Sequence, residues 1–210
     1  MHAIKHPQQT IGCTMHGLMN RAVQCFVRDT YGVEMWKALA YSADVPMAGF
    51  EAMFVYDDAM TDRMLDGATR LLNRPQESIL EDIGTYIVSH PNVESLRRLL
   101  RFGGETFLEF LLSVDDLPRR ARLAVPDLGL PAMEIIEGDY GAFELICRGD
   151  RPGFGHVMVG LLRTMADDYG ALVVLDYEGR NGLEETISIQ ILQNEFTEGR
   201  PFELATGPFS

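Results

Sequence analysis

Three cysteines, five histidines and several adjacent carboxylate pairs are the side chains of this sequence with types suited to chemistry. Cys13, Cys25 and Cys147 form no CxxC pair, and an odd number of thiols supports neither a disulfide framework nor a structural zinc site. They read as buried free thiols; a redox sensor on Cys25 or Cys147 would need an exposed, electropositive setting. Of His2, His6, His16, His90 and His156, only the first two stand four apart, in a polar opening segment that offers no rigid site. Asp57-Asp58, Asp115-Asp116, Asp167-Asp168 and Glu184-Glu185 each fall at the end of an expected helix or strand. They read as caps or solvated charge, because a catalytic dyad needs two carboxylates converging across a cleft. Arg101-Phe102-Gly103-Gly104-Glu105 and Gly153-Phe154-Gly155 lack the glycine pattern and preceding strand of a nucleotide fingerprint. There is no GxSxG elbow and no HExxH pair. The chain reads as one that senses or binds, not as an enzyme.

Composition agrees. With 210 residues, 46% hydrophobic and 23% charged, the chain can bury a sizeable core. A net charge of -13 would repel a phosphate backbone and an anionic membrane surface, so neither nucleic acid nor membrane is an expected partner. No window approaches the roughly 20 apolar residues of a membrane span, and the first residues lack the apolar stretch of a signal peptide. A cytoplasmic location follows as the expectation.

The elements that must position these groups are helical first. Apolar spacing predicts helices over 18–31 and 33–43, separated by Gly32 as a cap. Asp57 and Asp58 open a helix that runs to about Asn73, and Pro75 opens another that ends near Ser89. A short amphipathic helix over 92–101, an apolar stretch over 105–114 and a segment over 119–125 follow. Around Pro126 the pattern changes. Strands are expected over 132–136 and 143–147, a helix over 154–168, and strands over 171–177 and 186–192 around a turn at 179–182. This order predicts an α+β fold: a helical N-terminal lobe packed on a four-stranded antiparallel sheet with helices.

The order of elements, with particular residues, resembles the haem-nitric-oxide/oxygen-binding (H-NOX) domain family. The likeness is carried by Met15-His16-Gly17-Leu18-Met19-Asn20-Arg21-Ala22, by Asp29-Thr30-Tyr31-Gly32-Val33-Glu34-Met35-Trp36, and by Leu80-Glu81-Asp82-Ile83-Gly84. Pro126-Asp127-Leu128-Gly129-Leu130-Pro131 and Arg151-Pro152-Gly153-Phe154 continue it, followed by Val157-Met158-Val159-Gly160-Leu161-Leu162. The resemblance implies a flexible leader over 1–14, a domain over 15–193 divided into 15–75 and 76–193, and a tail over 194–210.

It also implies a haem site: a proximal histidine on a long helix, a Tyr-x-Ser-x-Arg clamp on the propionates, and a proline that distorts the porphyrin. Carried over, the proximal position holds Pro118, the clamp becomes Cys147-Arg148-Gly149-Asp150-Arg151, and Pro131 matches the distorting proline. Proline cannot ligate iron and interrupts the helix that would carry the signal. The expectation is therefore a stand-alone regulatory module without haem, or with impaired haem binding, that acts through an effector such as a kinase or cyclase. The alternative is a haem-based gas sensor with atypical ligation, in which His156 is the metal ligand or Cys147 supplies a thiolate. Otherwise His156 is a helix packing residue bonded to a carbonyl, Arg151 an ion-pair partner and Cys147 a core strand residue.

Overall fold

The computed structural model describes residues 14–91, 100, 103–124 and 128–193. The expected leader up to residue 13, most of the expected helix over 92–101 and the expected tail lie outside them. The chain forms two compact units, one from Met1–Ile79 with Asp127–Gly129 and the other from Leu80–Pro126 with Leu130–Ser210.

In the first unit, β1 (Thr14–His16) leads into α1 (Gly17–Tyr31), and Gly32 at φ +93° turns the chain into α2 (Val33–Ala43). β2 (Val55–Asp57) pairs antiparallel with β1, a two-stranded element too short for periodicity to reveal. Asp57 caps α3 (Asp58–Leu72) as expected, its carboxylate accepting from the Ala59 amide at 2.9 Å. α4 (Gln76–Ser89) starts one residue after Pro75, whose carbonyl accepts from the Ile79 amide, and from Leu80 onward it belongs to the second unit. Phe26, Val27, Trp36, Leu39, Met64 and Ala68 form the core of this unit. Two bonds pair buried polar side chains across elements: Thr61 donates to Asn20 Oδ1 at 2.5 Å, and Gln24 Oε1 accepts from the Phe50 amide at 3.0 Å.

In the second unit, Thr106 and Glu109 form a reciprocal capping box on α5 (Phe107–Leu112). A 3-10 turn (Val114–Asp116) separates it from α6 (Leu117–Ala124). The interruption expected from Pro118 falls just before that residue. Pro118 lies in the first turn of α6, where a missing N–H costs no helical hydrogen bond. The sheet is four-stranded and antiparallel, in the order β3-β4-β6-β5, from β3 (Ala132–Glu137), β4 (Ala142–Arg148), β5 (Leu172–Asn181) and β6 (Glu184–Gln193). α7 (Phe154–Tyr169) lies between β4 and β5 and closes on Gly170 in the left-handed conformation. The expected α+β architecture with four antiparallel strands is therefore present. The last hairpin is longer than expected, because Gly179 at φ +122° forms a bulge inside β5 instead of the turn.

One face of the sheet, with Leu145, Ile187 and Ile189, is buried in the same core as Met158, Leu162 and Met165 of α7 and Phe107 and Phe110 of α5. No helix among the described residues is long and apolar enough to cross a membrane.

α4 and α7 meet backbone to backbone. A Cβ on Gly84 would run into the Val157 carbonyl, and one on Gly160 into the Glu81 carbonyl. The Thr85 hydroxyl donates to the Gly160 carbonyl across the same crossing, at 3.4 Å. Alanine at either glycine gains about 1 kcal/mol of helix propensity but must force two helix backbones apart. Gly84→Ala and Gly160→Ala are each expected to be net destabilising by roughly 1–3 kcal/mol. A urea midpoint that falls at unchanged m would show it, and an unchanged or raised midpoint would contradict the contact.

Candidate functional site

Glu185 organises the described residues of the second unit that have chemical potential. Strand alternation places it on the inner face of β6 with Ile187 and Ile189, where it is 2% exposed. A carboxylate there must find donors, and it finds three. Its Oε1 accepts from the Gly153 amide at 2.8 Å and from the Tyr177 hydroxyl at 2.9 Å, and its Oε2 accepts from the Gly155 amide at 3.2 Å. Glu185 thus caps the N-terminus of α7 from a different element, and the helix dipole favours its charge. Of the two readings of Glu184-Glu185, cap or solvated charge, Glu185 takes the first, as a buried cap on a helix of another element. Glu184 does lie toward solvent, paired with Arg148 at 2.6 Å, and Arg148 also holds Glu134 at 2.6 Å.

Gly155 is required by this arrangement, since a Cβ there would meet the Tyr177 ring at 2.6 Å and Glu185 at 3.3 Å. Arg180 holds the loop before α7 by donating to the Gly149 and Asp150 carbonyls, each at 3.0 Å. Arg151 is half-buried at the bend just before Gly153.

Cys147 stands opposite Glu185 in the β4–β6 register and is 1% exposed. Burial, reinforced by the nearby Glu185 charge, pushes its thiol up to about 12, so at neutral pH it is a protonated core residue. Burial, then the hydrogen bond to Glu185 and its charge, likewise push Tyr177 up to about 12.

His156, in the first turn of α7, packs its ring on Tyr177 with centroids 4.0 Å apart. Its Nδ1 faces not a carbonyl, as expected of a packing histidine, but the Glu81 carboxylate at 3.6 Å, and it makes no hydrogen bond. Glu81 is shared with Arg163 at 3.2 Å. Pro131 lies against Gly149: a Cβ on that glycine would sit 3.0 Å from the Pro131 Cβ. Pro118 is buried, and its carbonyl accepts from Arg122 Nε at 3.3 Å. Around α7 the structure therefore gathers Cys147, Arg151 and His156, and it leaves Pro118 on α6. Among the described residues, no three His, Cys, Asp or Glu side chains converge to hold a metal ion.

Glu185, Tyr177 and Arg180 were missed in the sequence. For Glu185 a signal existed, an acidic residue at an inward position of an alternating strand. For Tyr177 and Arg180 the partners lie across a hairpin whose bulge hides the register.

The profile of the Haem-NO-binding (HNOB) family matches residues 16–176. The chain belongs to that family. It is 21% identical over 198 residues to soluble guanylate cyclase 89Da of Drosophila melanogaster, a match covering 93% of this chain and 28% of that protein. It is 27% identical over 124 residues to the guanylate cyclase soluble subunit beta-2 of Rattus norvegicus, covering 56% of this chain and 18% of that one. The HNOB chain thus spans about a quarter or less of the length of these curated relatives. In fold it is similar to an H-NOX protein from S. oneidensis, with a TM-score of 0.74 at 14% identity over 86% of this chain and 98% of that one. An H-NOX protein from K. algicida gives a TM-score of 0.72 at 19% identity, with the same coverage.

The residues that the resemblance sets at the haem positions do not supply the histidine or the full Tyr-x-Ser-x-Arg clamp: Pro118 has no imidazole, Cys147 is a neutral thiol in the core, and Gly149 has no hydroxyl and lies close against Pro131.

Two outcomes follow from the Glu185 cluster. Glu185→Ala strands two amides and a hydroxyl, and is expected to destabilise the fold by roughly 3 kcal/mol in urea titration, with Glu185→Gln losing less. The fold also keeps Cys147 and Tyr177 neutral, with values raised above the ordinary 9.0 and 10.0. That contribution is complete below pH 9 and is lost as pH rises toward 12, so stability is expected to fall across this window. Cys147→Ala should flatten the fall from its lower end, and Tyr177→Phe should lower the tyrosinate absorbance that accompanies unfolding by the share of one tyrosine.

Proposed function

We propose that this chain is a regulatory module of the H-NOX type that works without haem, or with impaired haem binding, and acts by changing its contacts with an effector protein such as a kinase or cyclase. The observation that carries the reading is Pro118, a residue without a donor at the position where the resemblance places the proximal histidine. Cys147 and Gly149 support it, since both clamp positions before Arg151 have lost their donors. Arg151 and Pro131 are the retained members of the set. The matched relatives are named as guanylate cyclases, and this chain aligns with only a minor part of each, which supports an effector of that kind. The described residues bring together no catalytic set, and the role proposed for the chain is sensing or relay.

One observation favours a second reading. The Nδ1 of His156 is buried without a hydrogen bond, so that nitrogen is not committed to a packing role. In this reading His156 is an axial ligand that substitutes for the missing histidine.

Absorption spectra separate the two. Protein expressed with haem supply, and then titrated with haemin, is expected to show no stoichiometric Soret band. A Pro118→His variant tests whether the lost donor is the obstacle, by gaining one. A stoichiometric wild-type band that shifts with NO and disappears in His156→Ala would overturn the haem-free reading and establish the second.

A further inference from the structure

The face of the sheet turned away from α7 is divided along the strands. At one end Arg148 ties Glu134 and Glu184 together. At the other end lie Ile136, Leu172, Val174 and Leu192, each between 42% and 58% exposed. A groove of about 370 Å³ there draws its lining from all four strands: Ile136 of β3, Ala142 and Glu144 of β4, Gln190 of β6, and Val174 and Asp176 of β5. Register sets Ile136, Glu144, Ser188 and Asp176 in one row across the sheet.

The β3–β4 hairpin closes beside this groove. Tyr140 at φ +55° and Gly141 at φ +78° stand between Asp139 and Ala142, and the Ala142 amide donates to the Asp139 carbonyl at 3.1 Å. Two successive left-handed residues closed by that bond form the turn that asparagine-glycine or glycine-glycine fills best. Tyrosine there is strained by its Cβ and gains no packing from its own chain, since Tyr140 is 98% exposed. The backbone beneath the ring is held all the same. Gln190 Nε2 donates to the Tyr140 carbonyl at 2.9 Å, and the Ile191 amide donates to the Gly141 carbonyl at 2.9 Å. An aromatic ring on a fixed backbone, in water at the rim of an apolar groove, has the properties of an interface anchor: a large contact area at little ordering cost.

The charges around the groove give the chemistry of what fits it. Glu144 and Asp176 line it, and Asp139 precedes the tyrosine; all three are exposed. Among the described residues none of them has an ion-pair partner, while Arg148 is committed to Glu134 and Glu184 at the far end. The complementary surface carries aliphatic side chains for the floor and Lys or Arg at its flanks. The groove crosses the strands, so its occupant is not a strand added at the sheet edge. A helix laid on the face is the element that covers a sheet in this way.

We propose that this end of the outer sheet face docks an amphipathic helix of a partner protein, with aliphatic residues against Ile136 and Val174, Lys or Arg against Glu144 and Asp176, and Tyr140 as the anchor at its rim. The inference gives a surface to the effector contact proposed above and rests on that reading for its role, but not on the state of the haem site.

The test is methyl NMR of the full chain titrated with a synthetic helix of leucine and lysine in amphipathic heptads. Expected are saturable shifts of the Ile136, Leu172, Val174 and Leu192 methyls, with those of Leu145 and Ile187 unmoved. Glu144→Lys combined with Asp176→Lys should weaken binding about tenfold or more. The same charge change at Asp66 and Asp167, exposed on α3 and α7, should leave it intact. Tyr140→Asn should raise the urea midpoint, because asparagine suits the turn, and still weaken the peptide about tenfold. The proposal is overturned if the peptide does not bind, if a leucine–glutamate helix binds as well, or if Tyr140→Asn leaves the affinity unchanged. Groove methyls that shift with protein concentration alone would also overturn it, by assigning the face to a second copy of the chain. Any of these failures would leave the effector reading standing with its contact on another face, whereas a stoichiometric, NO-responsive Soret band would overturn the haem-free reading without touching this surface.

Discussion

A single buried carboxylate sets the conditions for everything around α7. Glu185 is brought inside by strand alternation, and once inside it must be solvated by protein. The amides at the start of α7 are the strongest donors within reach, because their own helical partners do not exist and the dipole of the helix adds to their pull. The helix is therefore fixed at its first turn to the middle of the sheet. Tyr177 completes the shell, Gly155 leaves room for it, and Cys147 beside it is kept neutral. His156 owes its place to the same helix start, which lays its ring on Tyr177 and its Nδ1 toward Glu81.

This arrangement explains why the residues around α7 read as structure more readily than as a reaction centre. Every charged group that might serve chemistry already has a partner of its own chain: Glu185 its amides, Glu81 its Arg163, Arg148 its two glutamates, Arg180 its carbonyls. A polar group that is satisfied internally is a poor acceptor of a foreign ligand, because binding must first break what folding has made. Nδ1 of His156 and one terminal nitrogen of Arg180 are buried without a hydrogen bond in this cluster.

The fold was largely legible because its signals are local. Caps at Asp57 and Gly32, the change of period near Pro126 and the helix bounded by Gly153 and Gly170 all act within a few residues of where they appear. Less was legible where the deciding partner is far away. β1 and β2 are three residues each and exist through pairing across the first unit, which no short window displays. Gly179 has the composition of a turn but lies inside a strand, because the register of β6 draws the chain onward to Asn181. Among the site residues, Cys147 was foreseen as core from its apolar neighbours, and the environment of His156 was not, since Glu81 lies on another helix.

The shell around Glu185 also has a consequence for assembly of the fold. Its three donors come from the start of α7 and from β5, so the carboxylate is fully solvated by protein only once helix and hairpin are both in place. Until then it has to stay in water, and the inner face of β6 cannot close over it. The same residue that locks the finished structure therefore couples the arrival of α7 to the closing of the hairpin.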